Sequence, residues 1–138
     1  MEDIDLRLKI ENDKYILEDA QSSSVRSIYP IRELLWCGNS KFCNKLLIAE
    51  SDEYDRMLFT DGELQSTSFD EKIYHEHLVH PCISIYSSLY KNDNLNILIL
   101  GGGEGCTTRE LLKYPKNIVN KIIWIDIDKD LLNLCRNH

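Results

Sequence analysis

The five residues Gly101-Gly102-Gly103-Glu104-Gly105 stand directly after the apolar run Ile97-Leu98-Ile99-Leu100. Glycines at such a point let the backbone turn sharply and approach a ligand without Cβ clashes. Asp126 closes a second apolar run, Ile122-Ile123-Trp124-Ile125, and comes 23 residues after Gly103. That is near the separation at which a carboxylate ending a second strand accepts the hydroxyls of an adenosine ribose. The loop departs from the dinucleotide fingerprint, since its sixth position is Cys106, and no GK[ST] follows to make a phosphate cradle. Glu104 would meet a pyrophosphate with like charge at short range. The same carboxylate suits an ammonium group. The ligand expected is an adenosine with a cationic tail, a description that S-adenosylmethionine and its relatives satisfy.

The elements that must position these residues are readable from periodicity. Strand, glycine loop, a helix over roughly 107–114 stopped by Pro115, strand and terminal acid follow in order. Asp128 then caps a last helix with Leu131, Leu134 and Cys135 on one face. This is βαβα, the opening of a parallel doubly wound sheet, so the fold class is α/β. Upstream, Leu6, Leu8 and Ile10 alternate with charged residues, Tyr15-Ile16-Leu17 suits a partner strand, and 21–27 reads as a polar loop. Strands are expected at 34–36, 46–49, 56–59 and 64–67, joined by a turn at 51–55 and by Asp61-Gly62. Residues 1–67 thus predict a small N-terminal antiparallel β domain. Residues 68–138 predict a linking helix and an incomplete, truncated Rossmann-like (methyltransferase-like) nucleoside-binding domain. Ser68-Phe69-Asp70-Glu71 has the form of a capping box. Phe69, Ile73, Tyr74 and Leu78 give the helix an apolar face, and Pro81 is expected to kink or end its first segment.

Composition excludes several classes. Of 138 residues, 43% are hydrophobic and 28% charged, as in an ordinary globular chain. The net charge of -7 argues against a nucleic-acid surface, which is normally basic. Five cysteines, with no CxxC pair, read as free thiols in a reducing compartment. No apolar run reaches the roughly 20 residues of a membrane span, and no signal pattern opens the chain. The expected location is cytoplasmic. His75, His77 and His80 do not form an HExxH motif, so no metal site is expected. Lys72 and Arg109 read as solvated helix positions and Trp124 as strand packing.

The stretches Met57-Leu58-Phe59-Thr60-Asp61-Gly62-Glu63-Leu64-Gln65, Asp70-Glu71-Lys72-Ile73-Tyr74-His75-Glu76, His80-Pro81, GGGEGCTTRELLKYP at 101–115 and WIDID at 124–128 together resemble the spermidine/spermine synthase family. YHExLxHP with GGGEG and DID looks most like its thermospermine synthase branch. The resemblance covers about residues 40–138. It implies an N-terminal β domain joined to a methyltransferase-like domain. The activity implied is transfer of an aminopropyl group from decarboxylated S-adenosylmethionine, a co-substrate, to a polyamine acceptor, with no tightly bound cofactor. By resemblance, Asp126 holds the ribose hydroxyls and the 101–105 loop lies against the nucleoside. Glu104 replaces an aspartate facing the aminopropyl and amine groups. Tyr74 and His75 fall where the family lines its polyamine channel, Gln65 sits beside them on the β unit as a further substrate-binding residue, and Asn44 stands where a glutamine contacts the nucleoside. Asn44 is one methylene shorter than that glutamine, Asp55 replaces a usual glycine, and Thr60 a usual leucine.

The family's proton-abstracting aspartate lies well past the second strand, so no catalytic base is expected in this chain. Three function classes stay open: an active aminopropyltransferase; an inactive truncated relative that binds nucleoside or oligomerises; and a methyltransferase-type fragment, which would not need the YHE helix. The expected partners are the polyamine and the nucleoside, with no nucleic acid and no membrane. A homo-oligomer through the N-terminal domain, or a partner carrying the missing half, is expected to support a chain only marginally stable alone.

Overall fold

The computed structural model describes residues 7–11, 14–19, 27–91 and 93–138, with side chains from Ser27 onward. The chain divides into two compact units, Met1–Asp70 and Glu71–His138.

In the first unit β1 (Arg7–Glu11), β2 (Lys14–Asp19) and β3 (Ser27–Ile31) form an antiparallel sheet in that order. β4 (Glu33–Gly38), β5 (Leu46–Ser51), β6 (Asp55–Thr60) and β7 (Glu63–Thr67) form a second antiparallel sheet. Alternate residues point to one face of a strand. Leu47 and Ala49 of β5 and Met57 and Phe59 of β6 therefore share a core with Tyr29 and Ile31 of β3. The Tyr29 ring meets Phe59 edge-on at 5.4 Å.

β3 is not legible from the sequence, because a proline argues against a strand. Pro30 is tolerated because β3 is an edge strand, with Pro30 opposite Ile16. Leu6 and residues 21–26 lie outside the described residues. The expected turns at 51–55 and 61–62 are present. Asp55 and Asp61 take left-handed φ of 55° and 51°. Asp61 is held there by Lys45, whose backbone N–H donates to Asp61 Oδ1 at 2.9 Å.

The second unit begins with α1 (Glu71–Leu89). The expected Ser68/Glu71 capping pair is replaced by Thr67 and Asp70. The Thr67 hydroxyl donates to Asp70 Oδ1 at 2.6 Å and accepts from the Asp70 N–H at 3.3 Å. α1 also runs unbroken through Pro81. Packing on both sides offsets the lost hydrogen bond: Val79 and Ile83 are buried, and His80 is bonded to Glu110 and Tyr114. The apolar face anticipated from Ile73, Tyr74 and Leu78 is exposed instead. The helix buries the adjacent stripe of His75, Val79 and Ile83.

β8 (Leu95–Leu100), α2 (Cys106–Leu111), β9 (Val119–Ile125) and α3 (Lys129–Asn137) follow, with β8 and β9 parallel. Val79 and Ile83 pack with Leu111 and Val119 against Leu95, Ile97, Ile99 and Ile122. α2 ends at Leu111, short of the expected Tyr114. Beyond it Lys113 and Tyr114 donate to carbonyls three residues back, a tighter turn than the α-helix. Asp128 caps α3 as expected, accepting from the N–H groups of Asp130 and Leu131. An antiparallel β unit followed by the opening of a parallel α/β unit is the fold class read from the sequence.

A left-handed φ costs a residue with a Cβ about 1 kcal/mol, and glycine nothing. Asp55→Gly is expected to raise the stability of the first unit by about 0.5–1 kcal/mol, and Asp55→Val to lower it by more, both read from urea unfolding curves.

Candidate functional site

The glycine loop is pinned to the end of β9. The Gly101 N–H donates to the Ile125 carbonyl at 2.8 Å, and Trp124 Nε1 donates to the Gly101 carbonyl at 2.9 Å. Trp124, read as strand packing, is thus also a loop anchor. The loop closes on itself through the Gly105 N–H and the Gly102 carbonyl, at 2.9 Å. Gly105, with φ of 79°, starts α2 in a conformation that a Cβ disfavours. Gly103 is needed for space: a Cβ there would lie 2.8 Å from Leu131 and 3.4 Å from Asp126 Oδ2. The loop therefore passes directly beside the Asp126 carboxylate. Asp126 Oδ1 accepts the Asp128 N–H at 2.8 Å, which fixes the carboxylate plane.

Glu104, at the turn of this loop, faces His75 of α1. His75 is buried, and its Nε2 lies 3.6 Å from Glu104 Oε1. That separation is too long for a hydrogen bond. His75 Nδ1 lies 2.7 Å from the Glu71 carbonyl. A carbonyl can only accept, so Nδ1 carries the proton. Tyr74 stands beside this pair, its exposed ring edge-on to His75 at 5.0 Å.

A second layer of charge supports the first. Arg109 of α2, expected to be merely solvated, grips both oxygens of Glu71 at 2.9 and 2.7 Å. Burial alone would push the Glu71 carboxyl up, but the hydrogen bonds from Arg109 and Cys106 and the positive charge of Arg109 outweigh it and hold the carboxyl below its ordinary value. The Arg109 guanidinium is raised in turn by its bond to Glu71. Burial, then the charges of Glu104 and Glu71, push the Cys106 thiol up to about 12. Burial, with Glu104 and Asp126, pushes Cys135 up to about 11. Both cysteines are therefore neutral thiols near neutral pH, unsuited to nucleophilic attack. None of the five cysteines is in a disulfide.

Glu110 is the most buried acid of this unit. Lys113 bonds it closely, Arg109 Nε donates to it at 3.0 Å, and His80 Nε2 lies 3.1 Å away. His80 Nδ1 in turn meets the Tyr114 hydroxyl at 2.8 Å. The bond from Lys113, helped by Arg109 and His80 against the effect of burial, lowers Glu110 to about 2. This network ties α1 to α2. Among the described residues two groups, Glu71-His75-Cys106 and Glu76-His80-Glu110, bring possible metal-ligand atoms within 4.8 Å of one another. Each already holds a protein cation, Arg109 or Lys113, on the oxygens that a metal ion would need.

Of the residues singled out from the sequence, Gly101, Gly102, Gly103, Glu104, Gly105, Asp126, His75 and Tyr74 belong to the second unit, where His75 faces Glu104 and Gly103 lies beside Asp126. Asn44 and Gln65 belong to the first unit, where both are exposed and the Gln65 amide donates to its own strand at the Glu63 carbonyl. Glu71 and Arg109 were not anticipated as a pair, being 38 residues apart with no local spacing to link them.

Residues 71–138 match the spermine/spermidine synthase domain. Over 111 residues the chain is 40% identical to polyamine aminopropyltransferase 2 of Pseudomonas aeruginosa, covering 80% of this chain and 30% of that one. It is 37% identical over 114 residues to polyamine aminopropyltransferase 1 of Hyperthermus butylicus, covering 83% of this chain and 36% of the relative. This chain belongs to the spermine/spermidine synthase family. It spans about a third of the length of these relatives. The solved spermidine synthase of Thermotoga maritima superposes with a TM-score of 0.77 at 27% identity, over 95% of this chain and 44% of that one. A spermidine synthase solved in complex with the transition-state analogue AdoDATO matches with a TM-score of 0.76. Among the described residues no helix is long and apolar enough to cross a membrane.

The Glu110 network sets an acid limit for this family member. A carboxyl lowered on folding contributes stability above its ordinary value of 4.5, and that contribution is lost as pH falls towards about 2. Circular-dichroism melts from pH 7 to 2 are expected to show a falling midpoint across that window. Glu110→Gln is expected to melt several degrees lower at pH 7 and to lose much of the fall below pH 4.5.

Proposed function

We propose that this chain supplies the nucleoside- and amine-binding residues of a polyamine aminopropyltransferase, with decarboxylated S-adenosylmethionine as co-substrate and a polyamine as acceptor. In that reaction the acceptor nitrogen attacks the carbon next to the sulfonium, the carbon–sulfur bond breaks, and methylthioadenosine leaves. The nitrogen must lose a proton, which calls for a carboxylate base. No residue of this chain is assigned that part, which the family resemblance gives to a later loop. The contribution assigned here is orientation, which brings nucleophile and electrophile into line.

The observation that carries this reading is the placement of two carboxylates with different tasks on one short loop and the strand beside it. Asp126, half-buried beside Gly103 and held in plane by the Asp128 N–H, suits a pair of ribose hydroxyls. Glu104, three-quarters buried and facing the His75 ring, suits the cationic tail. As neutral thiols, Cys106 and Cys135 are unreactive towards a sulfonium electrophile. The solved relative bound to a transition-state analogue supports the same reading by family.

Calorimetric titration with methylthioadenosine is expected to show saturable one-to-one binding. Losing a hydrogen bond to a charged group costs roughly 1.5–3 kcal/mol, so Asp126→Ala should weaken that binding by about tenfold or more. Absence of binding by a chain shown to be folded would overturn the assignment. Binding without product in a turnover assay with candidate amines would leave a nucleoside-binding subunit.

A further inference from the structure

The electrostatics around His75 contain a conflict that Arg109 resolves. The Nδ1–H is committed to the Glu71 carbonyl, so in the neutral ring the lone pair of Nε2 points at Glu104, 3.6 Å away. A second proton on the ring would turn Nε2 into a donor aimed at that carboxylate. Glu104 would then be neutralised from within the protein, and an incoming ammonium would find its partner taken. The carboxylate that would draw that second proton on from the Nδ1 side is Glu71, whose Oε2 lies 3.3 Å from Nδ1 in a side chain only 10% exposed. Arg109 takes up that charge, with two N–H groups on the two Glu71 oxygens. The groups facing His75 are Glu71 from its own helix, Glu104 from the loop, the Tyr74 ring edge, and Cys106 from α2.

We propose that Arg109 and Glu71 are positioning residues of the site: the Arg109–Glu71 pair keeps a second proton off His75 and so leaves the Glu104 carboxylate available to a ligand cation. The part concerning a ligand cation rests on the function proposed above; the part concerning His75 does not. Arg109 touches no ligand in this role. It acts through Glu71 on His75, and through His75 on Glu104.

The test is a double-mutant cycle read on the His75 ring itself, by NMR titration of the imidazole carbon-bound protons, with the signal assigned through His75→Gln. An uncompensated carboxylate beside a buried imidazole raises its titration midpoint by about one to two pH units. Arg109→Gln is expected to show that rise. In Arg109→Gln/Glu71→Gln the carboxylate is gone as well, and the midpoint is expected to return close to that of the parent chain. A purely structural clamp predicts the opposite pattern, with the double variant at least as perturbed as the single one. If Arg109→Gln does not fold, Glu71→Gln alone keeps the inference testable: removing the nearby carboxylate must not raise the midpoint. A rise there, or an unmoved midpoint in a folded Arg109→Gln, would overturn the proposal.

Spermidine binding, followed by calorimetry, supplies the second readout. Arg109→Gln is expected to weaken it several-fold at pH 6.5 and to recover towards the parent as pH rises past the new His75 midpoint. A weakening that is the same at every pH would contradict the proposal. Should the parent chain bind no spermidine while the ring titrates as stated, the amine-binding assignment fails and the Arg109–Glu71 inference stands.

Discussion

Gly101 is tied to β9 on both sides of its peptide, through the Ile125 carbonyl and the Trp124 indole, and the second unit's site is arranged around that tie. Parallel pairing of Leu100 with Ile125 brings the two strand ends level. The loop after one strand and the acid after the other then become neighbours without further adjustment. Once the loop is fixed there, Gly103 passes between Leu131 and Asp126, where a Cβ would crowd the Leu131 side chain at 2.8 Å. Glu104 follows at the turn and is directed at α1. The site is a consequence of strand register.

Charge is arranged as tightly as the backbone. The chain is acidic overall, yet among the described residues two of its well-covered acids, Glu110 and Glu71, are matched by cations. Glu110 is held by Lys113, Arg109 and His80, and Glu71 by Arg109. Such pairing is what makes buried carboxylates tolerable, since an unpaired one would cost several kcal/mol. Glu104 is different: the His75 ring it faces lies 3.6 Å away, too far for a hydrogen bond, and a quarter of its side chain is exposed. A protein that pairs its structural acids and leaves this one facing an imidazole has an anionic position suited to a ligand cation.

Local features were legible and distant ones were not. Ile97–Leu100 and Ile122–Ile125 announce parallel strands because strands covered on a face read as continuous apolar runs. Asp128 announces a helix start because a short acceptor before an apolar period has few other uses. Pro30 and Pro81 hide their elements in the same way, because each lacks the N–H that a strand or a helix interior uses. An edge position at Pro30, and buried neighbours with a bonded His80 at Pro81, outweigh that loss. The apolar face of α1 was assigned to Ile73, Tyr74 and Leu78, one step around the helix from the stripe that is buried. That stripe contains His75, whose polarity hid it from a count of apolar residues. Asp126 and Glu104 could be found from spacing, whereas Glu71 and Arg109 meet only because α1 and α2 pack together.

The central claim is that one loop and one strand end hold a nucleoside by Asp126 and a cation by Glu104. It is tested most directly by comparing two ligands that differ in the cationic tail. Decarboxylated S-adenosylmethionine and methylthioadenosine should be titrated into the parent chain and into Glu104→Gln under identical salt. The account predicts that the parent binds the cationic ligand at least about tenfold more tightly, a difference of about 1.4 kcal/mol. It predicts also that Glu104→Gln removes most of that difference while leaving methylthioadenosine affinity nearly unchanged. Equal affinity for the two ligands in the parent chain, or a difference that survives in Glu104→Gln, would contradict it.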